Sequence, residues 1–211
     1  MICVECGRPV NNAFQEFSRG TIRLTRCEAK SCGKTADLYV EYEFMIIFLD
    51  MVLHKLQAYR HVLFNMLEYR DHGIHLPVLK LAFFIIIVDA YFRKYCLKDR
   101  APEDIRWFEG GPGGEGAWSS LVTLTAIEFT VSTVTMLFAT WLYTRTRTLL
   151  MRYNYVVVAV IISSFGKLFL ALSLVWDYSP SFGWAVDLFV ASSNVAALKV
   201  LLDSPYPVVS G

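Results

Sequence analysis

Charge is scarce in this chain of 211 residues. Only 18% of them are Asp, Glu, Lys or Arg, while 55% are hydrophobic. That balance lies outside the usual soluble range and points to a membrane. Net charge of either sign is lacking as well, the formal value being +1. No bulk field calls for nucleic acid, and the basic residues do not cluster as on a nucleic-acid-binding face. Residues 1–43 contain no apolar run, so no signal-peptide core is expected there. The N-terminus is accordingly expected in the cytosol, where thiols stay reduced. No nucleophile–base pair, metal-hydrolase motif or acyltransferase-like His…Asp spacing is present, so the chain reads as a non-enzyme.

Cysteine is rare but concentrated. Four of the five cysteines are Cys3, Cys6, Cys27 and Cys32, spaced C-x2-C and C-x4-C; Cys96 stands alone. Two knuckles joined by a longer excursion supply the four soft ligands of tetrahedral zinc. A segment of this size buries little core, and a structural metal supplies the missing stability. Ala13–Phe17 and Thr21–Thr25 read as strands around a turn at Ser18-Arg19-Gly20, which makes residues 1–38 a zinc ribbon. Two disulfides, or unrelated thiols, are the competing reading.

Glycine and proline are missing from Glu41 to Glu68, which allows one long helix. At 100° per residue, Glu43, Asp50, His54, Gln57, His61, Asn65 and Glu68 form a narrow polar stripe, and most of the remaining surface is apolar. Asp50, Lys55 and Arg60 would each cost about 2.5–3.5 kcal/mol at mid-membrane. An amphipathic helix lying in the membrane interface, residues 39–72, is therefore expected. Asp50, His54 and His61 are also possible metal ligands, although a solvated or partner-facing stripe is the plainer reading.

Long apolar runs fill the rest. Residues 73–211 read as a multi-span domain with four crossings, near 77–95, 119–143, 155–176 and 184–202. The first is the shortest in apolar core. Trp118, Trp141, Tyr143, Trp176 and Trp184 stand at span ends, where interfacial aromatics belong. Basic Thr144–Arg147 is assigned to the cytosol, and Asp177–Gly183, without Lys or Arg, to the lumen. Gly111–Gly116 spells G-x-G-x-x-G but lacks the strand and helix of a dinucleotide site, so it reads as a linker. Within the spans, Glu128 and Lys167 fall at similar depth and are expected to pair; a lipid-headgroup or proton site is the sharper alternative.

The stretch MICVECGRPV, the second cysteine pair, Tyr39-Val40-Glu41, Ile47–Asp50 and Ala58-Tyr59-Arg60-His61-Val62-Leu63-Phe64-Asn65 together resemble the ARV family. The likeness covers residues 1–66; beyond them only the several spans match. Its motif residues here include Asp50, Tyr59, Arg60, His61 and Asn65. The resemblance implies an endoplasmic-reticulum, multi-pass membrane protein of sterol transport and distribution, sphingolipid balance and GPI-anchor intermediate supply. It implies membrane lipids as partners, and sterol-pathway or GPI-pathway membrane enzymes if the protein is an adaptor. The fold expected is thus an α-helical integral membrane protein with a small N-terminal zinc ribbon and an amphipathic interfacial helix.

Overall fold

The computed structural model describes residues 1–18, 21–67, 76–100, 114–144, 153–176 and 182–203. Arg19 and Gly20, where the sequence places a turn, Glu68 of the polar stripe, Gly111–Gly113 and residues 145–152 and 177–181 lie outside them. Strands β1 (Phe14–Ser18) and β2 (Thr21–Leu24) pair antiparallel, Phe14 facing Leu24, with a bulge between Glu16 and Ser18. Isolated bridges Ile2–Pro9 and Arg26–Thr35 close the two cysteine knuckles on either side of this hairpin.

The single helix expected over 41–68 is not what forms. The chain makes α1 (Phe44–Val52), a turn, α2 (Leu56–Arg60) and a π-helical segment, His61–Met66. The break has a backbone cause. His54 takes φ +55°. Its N–H donates to the Met51 carbonyl at 3.0 Å and that of Lys55 to the Asp50 carbonyl at 3.0 Å. This is a Schellman closure with histidine where glycine is usual. The left-handed backbone costs about 1–2 kcal/mol for a side chain with a Cβ, so contacts of the imidazole must offset it.

Four long helical stretches follow: α3 (Leu76–Arg100), α4 (Gly114–Thr144), α5 (Tyr153–Ser163) continued by the 3-10 segment Ser164–Leu168 into α6 (Phe169–Trp176), and α7 (Phe182–Leu202). Gly114-Glu115-Gly116 opens α4 instead of extending the linker. Among the described residues, three stretches are long and apolar enough to cross a membrane: Trp118–Tyr143, Asn154–Trp176 and Phe182–Leu202. The fourth crossing proposed from sequence, α3, is long enough but carries Lys80, Asp89 and Arg93.

Successive stretches run antiparallel. Val78 of α3, Val156–Ile162 of α5, Ala196–Leu201 of α7 and, at its edge, Met136 and Leu137 of α4 share the larger core. Val88 and Phe92 of α3, Leu170 of α6, and Val186 and Val190 of α7 form the smaller one. Tyr91 late in α3 packs on Trp118 early in α4, ring centroids 4.6 Å apart. The N-terminal module joins the larger core through Val4, Tyr39, Ile47, Met51, Ala58, Tyr59 and Leu63.

Candidate functional site: a cysteine cage and an intramembrane charge layer

The four paired cysteines converge. Their sulfurs all lie within 4.8 Å of one another, Cys3 and Cys27 buried, Cys6 and Cys32 half-buried. Cys3 Sγ is 3.9 Å from Cys32 Sγ, and Cys6 Sγ is 3.6 Å from Cys27 Sγ. A tetrahedron with metal–sulfur bonds of about 2.3 Å has edges of about 3.8 Å, which these separations match. A disulfide needs about 2.05 Å, and all five cysteines are free thiols. The donor set therefore fits zinc. Burial pushes the Cys3 thiol up to about 12, and a bound cation would reverse that preference by stabilising thiolate.

The two knuckles differ in length but close alike. The N–H of Cys3 donates to the Arg8 carbonyl at 2.9 Å, and that of Cys27 to the Lys34 carbonyl at 2.8 Å. In each, the second cysteine is followed by a glycine with positive φ, Gly7 at 72° and Gly33 at 60°. These two glycines are required by backbone conformation. The two extra residues of the second knuckle are absorbed by a turn in which Cys32 N–H donates to the Ala29 carbonyl at 2.8 Å.

The polar stripe turns inward. Arg60 Nη1 donates to the carbonyls of Val4 and Glu5, at 2.9 and 2.8 Å, inside the first knuckle. Asn65 pairs with Ile2 as a strand would, accepting its N–H at 2.8 Å and donating to its carbonyl at 2.9 Å. Asp37, fully buried, is the hub that sequence reasoning missed. It accepts from Asn65 Nδ2 at 2.6 Å and from the Tyr39 N–H at 3.0 Å, and hydrogen-bonds His61 Nδ1 at 2.7 Å. Asp50 accepts from Tyr39 Oη at 2.8 Å and pairs with Lys55 at 2.8 Å. Asp50, His54 and His61 do not converge with one another as metal ligands; among the described residues only the four cysteines do.

The motif also grips the bundle, through two consecutive residues of α7, and the next one ties α7 to α5. Ser192 hydrogen-bonds His54 Nε2 at 2.9 Å, Ser193 hydrogen-bonds Tyr59 Oη at 2.7 Å, and Asn194 accepts from Ser163 of α5. His54 stacks edge-on against Phe189, 5.1 Å away. These contacts hold the strained histidine.

Glu128 and Lys167 are not partners. Glu128 binds Arg93 of α3, one Nη1–Oε1 contact being 3.1 Å. Lys167 Nζ binds Asp89 Oδ2 at 2.5 Å, and Asp89 also holds Arg93 Nε at 3.4 Å. The two residues are the ends of a four-member chain. The sequence pairing failed because it left α3 out; the Asp89/Arg93 spacing at i, i+4 was the readable signal. Asp187 of α7 lies within electrostatic reach of all four. At 1.5 Å per residue, Asp89, Glu128, Lys167 and Asp187 lie roughly 20–24 Å from the ribbon-side ends of their stretches. Every long stretch thus contributes to one polar layer within the bundle.

A cysteine cage clamped by a short helical module onto an antiparallel helix bundle defines a polytopic membrane protein whose head offers four clustered thiols. Residues 2–198 match the Arv1-like family, and the chain belongs to it. It is similar to the Protein arv1 homolog of Dictyostelium discoideum, 45% identical over 214 residues, covering 97% of this chain and 85% of that one. Human Protein ARV1 is 31% identical over 210 residues, covering 95% and 72%. Saccharomyces cerevisiae Protein ARV1 is 44% identical over 68 residues, covering 32% and 21%. No solved structure matches the chain.

Proposed function

We propose that this protein works in the endoplasmic-reticulum membrane to redistribute sterol and to balance sphingolipids and GPI-anchor intermediates, with its cysteine ribbon holding structural zinc on the cytosolic face. Family membership across nearly the whole chain supports the lipid-homeostasis role. The observation that carries the mechanism is the charge layer. Ionisable groups at bilayer depth are costly and are retained where polar matter must be stabilised. Here Asp89 and Lys167 are mostly buried, while the side chains of Arg93 and Glu128 remain 34% and 47% exposed. The layer is thus satisfied on its inner side and open on the flank shared by α3 and α4. A lipid headgroup passing along that flank would exchange water for fixed charges instead of bare acyl chains, which lowers its barrier to crossing.

In the adaptor reading the stripe recruits sterol-pathway or GPI-pathway enzymes; Glu43 is exposed and Gln57 half-buried, while other polar residues of the segment are engaged within the protein. Arg60, His61 and Asn65 bind the ribbon, and His54 and Tyr59 bind α7. The test is reconstitution of the purified protein in phosphatidylcholine vesicles with a fluorescent sterol or glycolipid. Faster movement between leaflets than in empty vesicles, lost in Arg93→Gln, supports transport. Unchanged movement for every lipid tried removes it, and covalent conversion of a lipid would overturn the non-enzyme assignment.

A further inference from the structure

The helical module was expected to lie on the membrane surface, but its contacts lie much deeper. Ser192, which binds His54, is the middle residue of the 21-residue helix α7. Phe165, which packs against Phe48 of α1 at 5.5 Å, is the middle residue of the stretch Asn154–Trp176. Phe48 also meets Phe169, one turn further from the ribbon-side end. The stretch Asn154–Trp176 runs between Tyr155 and Trp176, and α7, about 30 Å long at 1.5 Å per residue, carries Trp184 on the same side as Trp176. Trp118 and Trp141 bracket α4 in the same way. Interfacial aromatics mark the headgroup level, so the midpoints of these stretches lie near the bilayer centre.

The α1–α2 hairpin is also built for such a place. Backbone polar groups survive at that depth only if protein satisfies them. The turn between the helices is closed by its own Schellman bonds, and its side chains His54 and Tyr59 are bonded to α7. Lys55 is paired with Asp50. Meanwhile Phe44, Met45, Leu49 and Leu53 of this small module are 54–67% exposed. Ile127, Val131, Val134 and Phe138 of α4, within a stretch apolar enough to cross a membrane, are exposed to a similar degree.

We propose that α1 and α2 form a re-entrant wedge that sinks into the acyl chains of the ribbon-side leaflet as far as the bilayer centre, with Phe44, Met45, Leu49 and Leu53 facing lipid. The wedge occupies one leaflet only, because both its ends return to the ribbon through Tyr39 and Arg60.

The test uses the full-length protein in phosphatidylcholine vesicles. A small fluorescent amino acid replaces Leu53, Leu49, Glu41 or, as a depth standard, Val131 in the middle of α4. Nitroxide lipids carry the quencher either on the headgroup or near the end of the acyl chain. Leu53 and Val131 should lose more fluorescence to the chain-end quencher, and Glu41 more to the headgroup quencher. Stronger headgroup quenching at both Leu53 and Leu49 would place the helix on the surface and overturn the wedge. Protection of both from either quencher would mean that protein covers the face, and would also overturn it. A measurement on the unaltered chain guards against a label effect: a lipid with a diazirine at the chain end should leave adducts on peptides from Phe44–Leu53 as well as α4. Adducts on α4 alone would refute the proposal. Neither readout depends on lipid transport, so the wedge and the proposed function stand or fall separately.

Discussion

The N-terminal module and the helix bundle solve the same problem in opposite ways. Both carry polar side chains away from water. In the module, polar side chains reach backbone groups of a distant segment as well as one another: Arg60 binds two knuckle carbonyls, Asn65 both edges of Ile2, and Asp37 the Tyr39 N–H, Asn65 and His61. In the bundle the charges bind one another in a layer, while hydroxyls such as Thr125, Thr133 and Ser164 only bond back to carbonyls of their own helical stretch. Backbone-directed bonds depend on donor type and position at every site, whereas packed apolar helices tolerate exchange of residues of similar volume. The module should therefore fail by single substitutions, and the bundle chiefly through its charges.

The largest effect should come from Cys6→Ser. Losing a structural zinc site removes on the order of 10 kcal/mol from a ribbon that has little other core. Elemental analysis should find one zinc in the native chain and far less in the variant. Limited proteolysis should then cut residues 1–38 while the bundle stays in the membrane. Degradation of both parts together would erase the contrast between the two regions.

Next in size is Asp37→Ala, which strands His61, Asn65 and the Tyr39 N–H at a buried site. Leaving buried hydrogen-bonding groups without a partner costs about 1–3 kcal/mol per group. Thermal unfolding of the purified protein should show this as a lower Tm, with zinc still bound at low temperature. A Tm equal to the native one would mean that water replaces the carboxylate, and that the hub is less closed than its burial indicates.

Within the bundle, Asp89→Asn should destabilise by about 3 kcal/mol because it leaves Lys167 buried and unpaired. Adding Lys167→Met should restore most of the loss. The same cycle on Glu128 and Lys167 should show little coupling, since Arg93 lies between them. Strong direct coupling of Glu128 to Lys167 would restore the pairing expected from sequence.

The smallest expected change is in Tyr59→Phe, which keeps the ring and removes the hydroxyl shared by Ser193 and the Met51 carbonyl. Its cost should be about 1 kcal/mol, the net worth of an ordinary hydrogen bond. Ser193→Ala in the same background should add almost nothing. Additive losses would show that the two hydroxyls work apart.

Sequence spacing made the cysteine cage legible because each knuckle is local, and apolar length did the same for three of the long stretches. The polar stripe also gathered the right residues, His54, His61 and Asn65. Its helix was misjudged because absence of glycine and proline permits continuity without enforcing it; at His54 a tertiary bond to Ser192 compensates a backbone that histidine alone disfavours. Asp37, Asp89, Arg93, Asp187 and Ser193 escaped notice for another reason. Most gain their meaning from a partner far away in the chain, which no periodicity records; the i, i+4 spacing of Asp89 and Arg93 is the exception. Asp37 is one of the last residues of the ribbon segment, and α3 is the crossing with the shortest apolar core. Both turned out to be junctions.

Ser192, Ser193 and Asn194 are neighbours in sequence, so on a helix their side chains leave the axis about 100° apart. Each engages a different element: the turn after α1, the helix α2, and α5. They act like the teeth of a key, fixing the angle at which α7 sits in its lock. An extra alanine inserted after Val190 would turn all three teeth by one notch, and no single rotation of the helix could seat them again while Asp187 kept its place beside Lys167. α7 is thus pinned in azimuth at its centre, and a twist imposed at its far end would load the His54 turn and Tyr59 of α2.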